Sequence, residues 1–130
     1  MISGSCLCGG VRYEIDGGLG PVAMCHCAMC RKASGSAFAT NASVGRDCFR
    51  LLAGAELIQR YESSPGGWRA FCRVCGSPLY KEMAAAPEQI RIRLGLLDSD
   101  PGVRPAFHYA VNYKASWFEI CDDLPRLDIE

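Results

Sequence analysis

Seven cysteines fall in three short clusters: Cys6-Leu7-Cys8, Cys25-His26-Cys27-Ala28-Met29-Cys30 and Cys72-Arg73-Val74-Cys75. Cysteines this close on a tight turn aim their thiolates at one point. Zn2+ takes such soft donors in a tetrahedron, with bonds of about 2.0–2.3 Å. A disulfide framework is the rival reading. It needs Cα atoms about 4.4–6.8 Å apart with suitably aimed Cβ vectors. A C-x-C pair meets that need only with strain, and this chain has two such pairs, Cys6/Cys8 and Cys25/Cys27. The cysteine total is nine, an odd number. The opening residues MISGSCLCGG lack the basic and apolar regions of a secretory signal. A reducing compartment and metal ligation are therefore expected, and the localisation expected is cytoplasmic.

The clusters divide into four thiols plus three. Gly9 follows Cys8, and Gly76 follows Cys75. A glycine there permits positive φ, so the chain can fold back and point backbone N–H groups at sulfur. The two turns look alike, which pairs Cys6, Cys8, Cys72 and Cys75 as a closed, structural zinc site. Cys25, Cys27 and Cys30 lack that glycine and are followed by Arg31-Lys32. Three protein ligands leave one zinc position open for water or substrate, as in catalytic sites. Three thiolates on Zn2+ carry a net charge of about −1, which Arg31 and Lys32 would offset. Those cations could also hold a substrate carboxylate. An added thiol in the open position would be deprotonated and become a nucleophile. Alternatively Cys48, Cys121, His26 or His108 closes the site as a fourth ligand. Two zinc ions per chain follow, the second prone to be empty or oxidised in a purified sample.

Short strands must position these clusters. Val11 to Asp16 alternates apolar and polar residues, as does Ile90 to Leu94, with arginines outward and aliphatics inward. Strands are also expected at 36–44, 49–52, 57–61, 107–109 and 117–120, and Trp68 to Phe71 leads into the Cys72/Cys75 pair. Gly17 to Pro21, Ala53 to Ala55, Ser63 to Gly67 and Pro101-Gly102 break them. Cys30 to Gly35 suits one helical turn, and Met83 to Gln89 hints at helix that Pro87 limits. The whole reads as one mainly β, largely antiparallel domain over residues 1–130 with little helix. At 49% hydrophobic residues, a core can be buried. Fourteen basic residues balance fourteen acidic ones and form no run, so nothing draws the chain to nucleic acid. No stretch reaches the roughly 20 apolar residues of a membrane span.

Single residues carry weaker expectations. His26 lies between two ligands and should point away from the metal, in a supporting or surface role. His108 either faces the site or is a satisfied, partly buried histidine. Trp117 and Phe118 read as core, Cys48 and Cys121 as small buried hydrophobes. Asp98, Asp122 and Asp123 read as braces of turns or caps. Phe38 and Tyr61 could line a pocket.

The order of motifs resembles the family of glutathione-dependent formaldehyde-activating enzymes, which includes centromere protein V. The resemblance begins at Gly4-Ser5-Cys6-Leu7-Cys8-Gly9-Gly10 and continues through Cys25 to Lys32 and Ser34 to Phe38. It resumes at Arg69 to Leu79, Gly95 to Asp98, Pro105 to His108 and Ala115 to Ile120. It implies small packed β sheets, a structural zinc on Cys6, Cys8, Cys72 and Cys75, and a catalytic zinc on Cys25, Cys27 and Cys30. The implied activity is a carbon–sulfur lyase reaction that joins a small thiol, glutathione, to an aldehyde, formaldehyde, as S-hydroxymethylglutathione. Two other functions remain open: a noncatalytic zinc-binding interaction module, and a thiol or zinc redox sensor. A module of the first kind would be marked by a basic extension, which this charge-neutral chain lacks.

Overall fold

The computed structural model describes all residues, 1–130. Alternating stretches of the chain become eleven strands and one α-helix. In chain order the strands are β1 (Ile2–Ser5), β2 (Arg12–Ile15), β3 (Val22–Cys25), β4 (Ala39–Gly45), β5 (Phe49–Ala53), β6 (Ile58–Ser64), β7 (Gly67–Cys72), β8 (Pro78–Met83), β9 (Gln89–Arg93), β10 (Phe107–Tyr109) and β11 (Arg126–Leu127). The helix α1 (Ala28–Ser34) lies between β3 and β4. The architecture is mainly β, with little helix.

Two sheets form. The smaller has the order β1-β2-β5, all antiparallel. The larger has the order β11-β10-β3-β4-β9-β8-β7-β6. Its pairs are antiparallel except at one edge, where β10 runs parallel to both β3 and β11. Tyr13 and Ile15 of the small sheet bury against Val22, Ala42, Val44, Ile90 and Ile92 of the large one. Cross-strand register explains the match: Val22 sits opposite Ala42, Ala42 opposite Ile92, and Val44 opposite Ile90. One face of the large sheet is thereby apolar and covered. A second cluster joins Cys6 and Val11 to Ala70, Cys72 and Leu79.

Several expectations need correction. Met83 to Gln89 is not helical; it closes the β8–β9 hairpin through turns with Ala86 N–H on Met83 O and Gln89 N–H on Ala86 O, both 3.1 Å. The antiparallel pairing of β8 with β9 leaves no length for a helix there. Trp117 to Ile120 forms no strand, because no neighbouring strand pairs with it. Trp117 is 68% exposed rather than core, whereas Phe118 is half-buried. Cys121 is exposed and Cys48 half-buried, so only Cys48 packs with apolar neighbours. Arg93 is not outward in the sense of solvated; it is buried on the face opposite Ile92.

Ile92 has no exposed surface and sits at the centre of the main core cluster. Ile92→Ala is expected to lower stability by about 2–5 kcal/mol, the range for truncating a buried aliphatic. Urea unfolding at fixed zinc measures this, and a loss below about 1 kcal/mol would contradict the packing described.

Candidate metal centres

The four-thiol site is built by two matching turns. Cys6 follows β1 and Cys72 ends β7. After Cys8, Gly9 takes φ of 77°, and after Cys75, Gly76 takes φ of 78°. Each turn closes the same way: Gly9 N–H donates to Cys6 O at 3.0 Å, and Gly76 N–H to Cys72 O at 2.7 Å. No atom lies within 4 Å of a Cβ added at either glycine, so the requirement is torsional rather than steric. The folded-back chain then presents donors to sulfur, with Val11 N–H on Cys6 Sγ at 3.2 Å. Ser77 ties the turns together: it accepts from Leu7 N–H at 2.9 Å, and its hydroxyl donates to Cys75 Sγ at 3.3 Å.

All four sulfurs lie within 4.8 Å of one another. Cys6 and Cys8 are 3.5 Å apart, and Cys8 and Cys72 are 3.9 Å apart. A tetrahedron with Zn–S bonds of about 2.3 Å has sulfurs about 3.8 Å apart. The donor set and spacing fit Zn2+. Charge points the same way. The Ser77 hydroxyl and backbone N–H groups hold the Cys75 thiol down to about 5. The N–H of Gly10 favours the Cys8 thiolate, but the crowding thiols, Cys6 first, push it up to about 11. Thiols this close do not all ionise unless a cation sits among them.

Cys25, Cys27 and Cys30 also converge, with sulfurs within 4.8 Å of one another. Cys25 ends β3, Cys27 is the N-cap of α1, and Cys30 lies in the first turn of α1. The helix starts two residues before the expected turn, which lets Cys27 Sγ accept from Cys30 N–H at 3.3 Å. Hydrogen bonds from Cys25 and Cys27, with Arg69 beside it, hold the Cys30 thiol down to about 4. The same bond to Cys30, then burial, pushes the Cys25 thiol far up. No other cysteine, histidine or carboxylate joins the three. Cys48, Cys121, His26 and His108 therefore do not close the set.

His26 does turn away from the thiols, but into the interior, with no exposed surface. Its Nε2 lies 2.8 Å from His108 Nδ1. His108 is 2% exposed, and its Nε2 lies 3.0 Å from Asp122 Oδ2. With His108 Nε2–H donating to Asp122, its Nδ1 accepts from His26 Nε2–H. Burial and the neighbouring His108 push His26 below its usual range, consistent with a neutral ring. The chain His26–His108–Asp122 thus pins the segment after β10 to the cysteine loop. Asp122 also accepts from Leu124 N–H at 3.0 Å, and Asp98 accepts from Ser5 Oγ at 2.7 Å, as braces of turns.

A cleft of about 200 Å3 opens at Cys30, walled by Phe38, Thr40, Arg69, Arg93 and Leu96. A groove of about 330 Å3 adjoins it, shares Arg69 and Arg93, and includes Tyr61. Phe38 and Tyr61 therefore line pockets. Arg69 places Nη2 3.9 Å from Cys30 Sγ and donates from Nε to Ser63 Oγ at 3.1 Å. Arg93 donates to Asn41 Oδ1, and burial holds its guanidinium down at about 10. Arg31 and Lys32 continue α1; Arg31 is half-buried and Lys32 exposed, and neither lines the cleft.

Residues 1–113 match the sequence profile of the glutathione-dependent formaldehyde-activating enzymes. This chain belongs to that family. A crystal structure of a Rhodobacter sphaeroides protein is similar to it, at 27% identity and a TM-score of 0.64. That similarity covers 79% of this chain and 91% of the other.

The family assignment joins the chain to glutathione and formaldehyde chemistry, and Cys30 is the cysteine of the three-thiol set that lines the cleft. Sequence reasoning missed Arg69 and Arg93 as walls of the cleft at Cys30. Arg93 alternates with Ile90 and Ile92, and that period marks a face without saying what covers it. The weak signal for Arg69 was its place three residues before Cys72.

Metal analysis of protein purified without chelator is expected to give close to two zinc per chain. Cys72→Ser is expected to lose one ion and unfold, because structural zinc contributes about 10–16 kcal/mol to folding, comparable to or above the whole net stability of a domain. Circular dichroism and zinc content check this together. A folded, two-zinc Cys72→Ser protein would contradict the four-thiol assignment.

Proposed function

We propose that this chain is a zinc-dependent carbon–sulfur lyase that reversibly adds a small thiol, glutathione by family, to formaldehyde. The observation that carries the reading is the set Cys25, Cys27 and Cys30: three convergent thiols, no fourth protein donor, and Cys30 opening into a cleft. A zinc ion on three thiolates would offer its remaining position to the substrate thiol and favour its thiolate form. The protein's own groups do the rest. Arg69 stands 3.9 Å from Cys30 and balances the negative charge of the thiolate cluster. Arg31 and Lys32, next along α1, add to that positive field at longer range. Phe38 walls the cleft and limits water around the reacting sulfur.

The chemistry balances without oxidant or reductant. The substrate S–H gives up its proton, and the sulfur lone pair forms the S–C bond to the aldehyde carbon. The C=O π pair moves onto oxygen, which takes a proton and becomes the hydroxyl of the hydroxymethyl thioether. The reverse steps release thiol and aldehyde. Nine free thiols suit a reducing compartment, so we place the protein in the cytoplasm. No helix is long and apolar enough to cross a membrane. We read residues 1–130 as one zinc-binding domain.

Exchange NMR of glutathione with formaldehyde tests this reading. Fully metallated wild type is expected to accelerate exchange over buffer. Cys27→Ser is expected to return the rate to that of buffer while keeping its fold and the four-thiol zinc. A fully metallated wild type that exchanges at the buffer rate would sink the lyase reading.

A further inference from the structure

The face of the large sheet opposite the core carries a row of like charges. Arg69 on β7 is the cross-strand partner of Lys81 on β8, and Lys81 is the partner of Arg91 on β9. Arg93 lies two residues further along β9 on the same face, opposite Asn41 of β4. Like charges directly opposite each other destabilise a sheet, and buried charges are costly unless paired. Yet Arg69 and Arg93 are 8% and 7% exposed, and neither forms an ion pair with any carboxylate of the chain. Lys81 and Arg91 form none either. Arg69 Nη1 is buried with no hydrogen-bond partner at all. The chain is neutral as a whole, so this concentration is local.

The thiolate cluster accounts for part of the charge. Three thiolates around a divalent ion leave a net charge of −1, which one guanidinium balances. Arg69 supplies that charge through Nη2 beside Cys30, which leaves its Nη1 without a partner and the charges of Arg93 and Lys81 as surplus. Both arginines line the cleft at Cys30 and also the adjoining groove. A planar guanidinium fork matches a carboxylate in two parallel hydrogen bonds, and the apolar cleft walls Phe38, Pro78 and Leu96 suit a small organic acid.

We propose that Arg69 and Arg93 form a carboxylate-binding subsite, which selects thiol substrates that carry a carboxylate and holds them beside the Cys25, Cys27 and Cys30 cluster. The inference rests on reading that cluster as a thiol-handling site, and it names the two residues that would recognise the carboxylate of the thiol.

S-methylglutathione has no thiol to offer a metal, so its binding reads carboxylate recognition apart from chemistry. Calorimetric titration of zinc-loaded wild type is expected to show it binding at least about tenfold more tightly than its dimethyl ester. Arg69→Met and Arg93→Met are each expected to weaken the acid about tenfold and leave the ester unchanged, with Arg93→Lys intermediate. Equal affinity for acid and ester, no measurable binding of the acid, or a preference surviving in both Met variants overturns the subsite. Zinc content and melting temperature check that the variants fold. Should one unfold, the wild-type acid–ester comparison still decides. The lyase reading fails separately. Protein that prefers the acid yet leaves glutathione–formaldehyde exchange at the buffer rate keeps the subsite and loses the lyase. Protein that accelerates exchange equally for glutathione and its dimethyl ester keeps the lyase and loses the subsite.

Discussion

The convergence of Cys6 and Cys8 with Cys72 and Cys75 ties the small sheet to the large one. Cys6 stands at the end of β1 and Cys72 at the end of β7, and the sulfurs of Cys8 and Cys72 meet across 64 residues of chain. Closing a loop of that length costs about 4 kcal/mol in chain entropy, beyond a constant term. Structural zinc on thiolates contributes about 10–16 kcal/mol, so an ion held by these four would outweigh the closure. The thiols are also part of the packing: Cys6 and Cys72 are buried with Val11, Ala70 and Leu79. Convergence of the thiols and packing of the second core cluster therefore depend on one another, and β7 is held where Arg69 can reach Cys30.

From that anchored frame the large sheet works on two faces. Ile90 and Ile92 point one way and join Tyr13 and Ile15 in the main core. Arg91 and Arg93 alternate to the other side, where α1 packs and the three-thiol cluster lies. The core stabilises the sheet, and the opposite face spends part of that stability on buried cations and crowded thiols. A site that keeps like charges together with no carboxylate of its own is poised to take one from a ligand. The His26–His108–Asp122 chain does related work from the other flank. It fixes the loop between Cys25 and Cys27 and holds the segment after β10 against it, with the Phe118 ring edge-on to Phe38 at a centroid distance of 5.6 Å.

Much of this was legible in the sequence because ligand chemistry is local. The glycine after Cys8 and the glycine after Cys75 predicted matching turns, and both adopt the positive φ that the argument requires. The alternation at Val11 to Asp16 and Ile90 to Leu94 marked β2 and β9. What could not be read depends on covering. Arg93 looks solvated from its period, yet it is buried beside Asn41 at the cleft, while Arg91 on the same face stays exposed. Trp117 looks like core from its type, yet no strand pairs with its segment and it stays exposed. Met83 to Gln89 carries helix-forming alanines, but the β8–β9 pairing decides its conformation. The parallel placement of β10 and β11 beside β3 joins strands distant in sequence, which no local pattern encodes.

The two cysteine clusters are unequal, with four thiols converging in one and three in the other. X-ray absorption at the zinc edge reads this directly in the two-zinc protein. Seven thiolates shared by two ions predict about 3.5 sulfur neighbours per zinc, the remainder being oxygen or nitrogen. Added glutathione should raise the average to about four sulfurs per zinc. Four sulfurs per zinc before any thiol is added, or an average of 3.5 that excess glutathione leaves unchanged, would contradict the account.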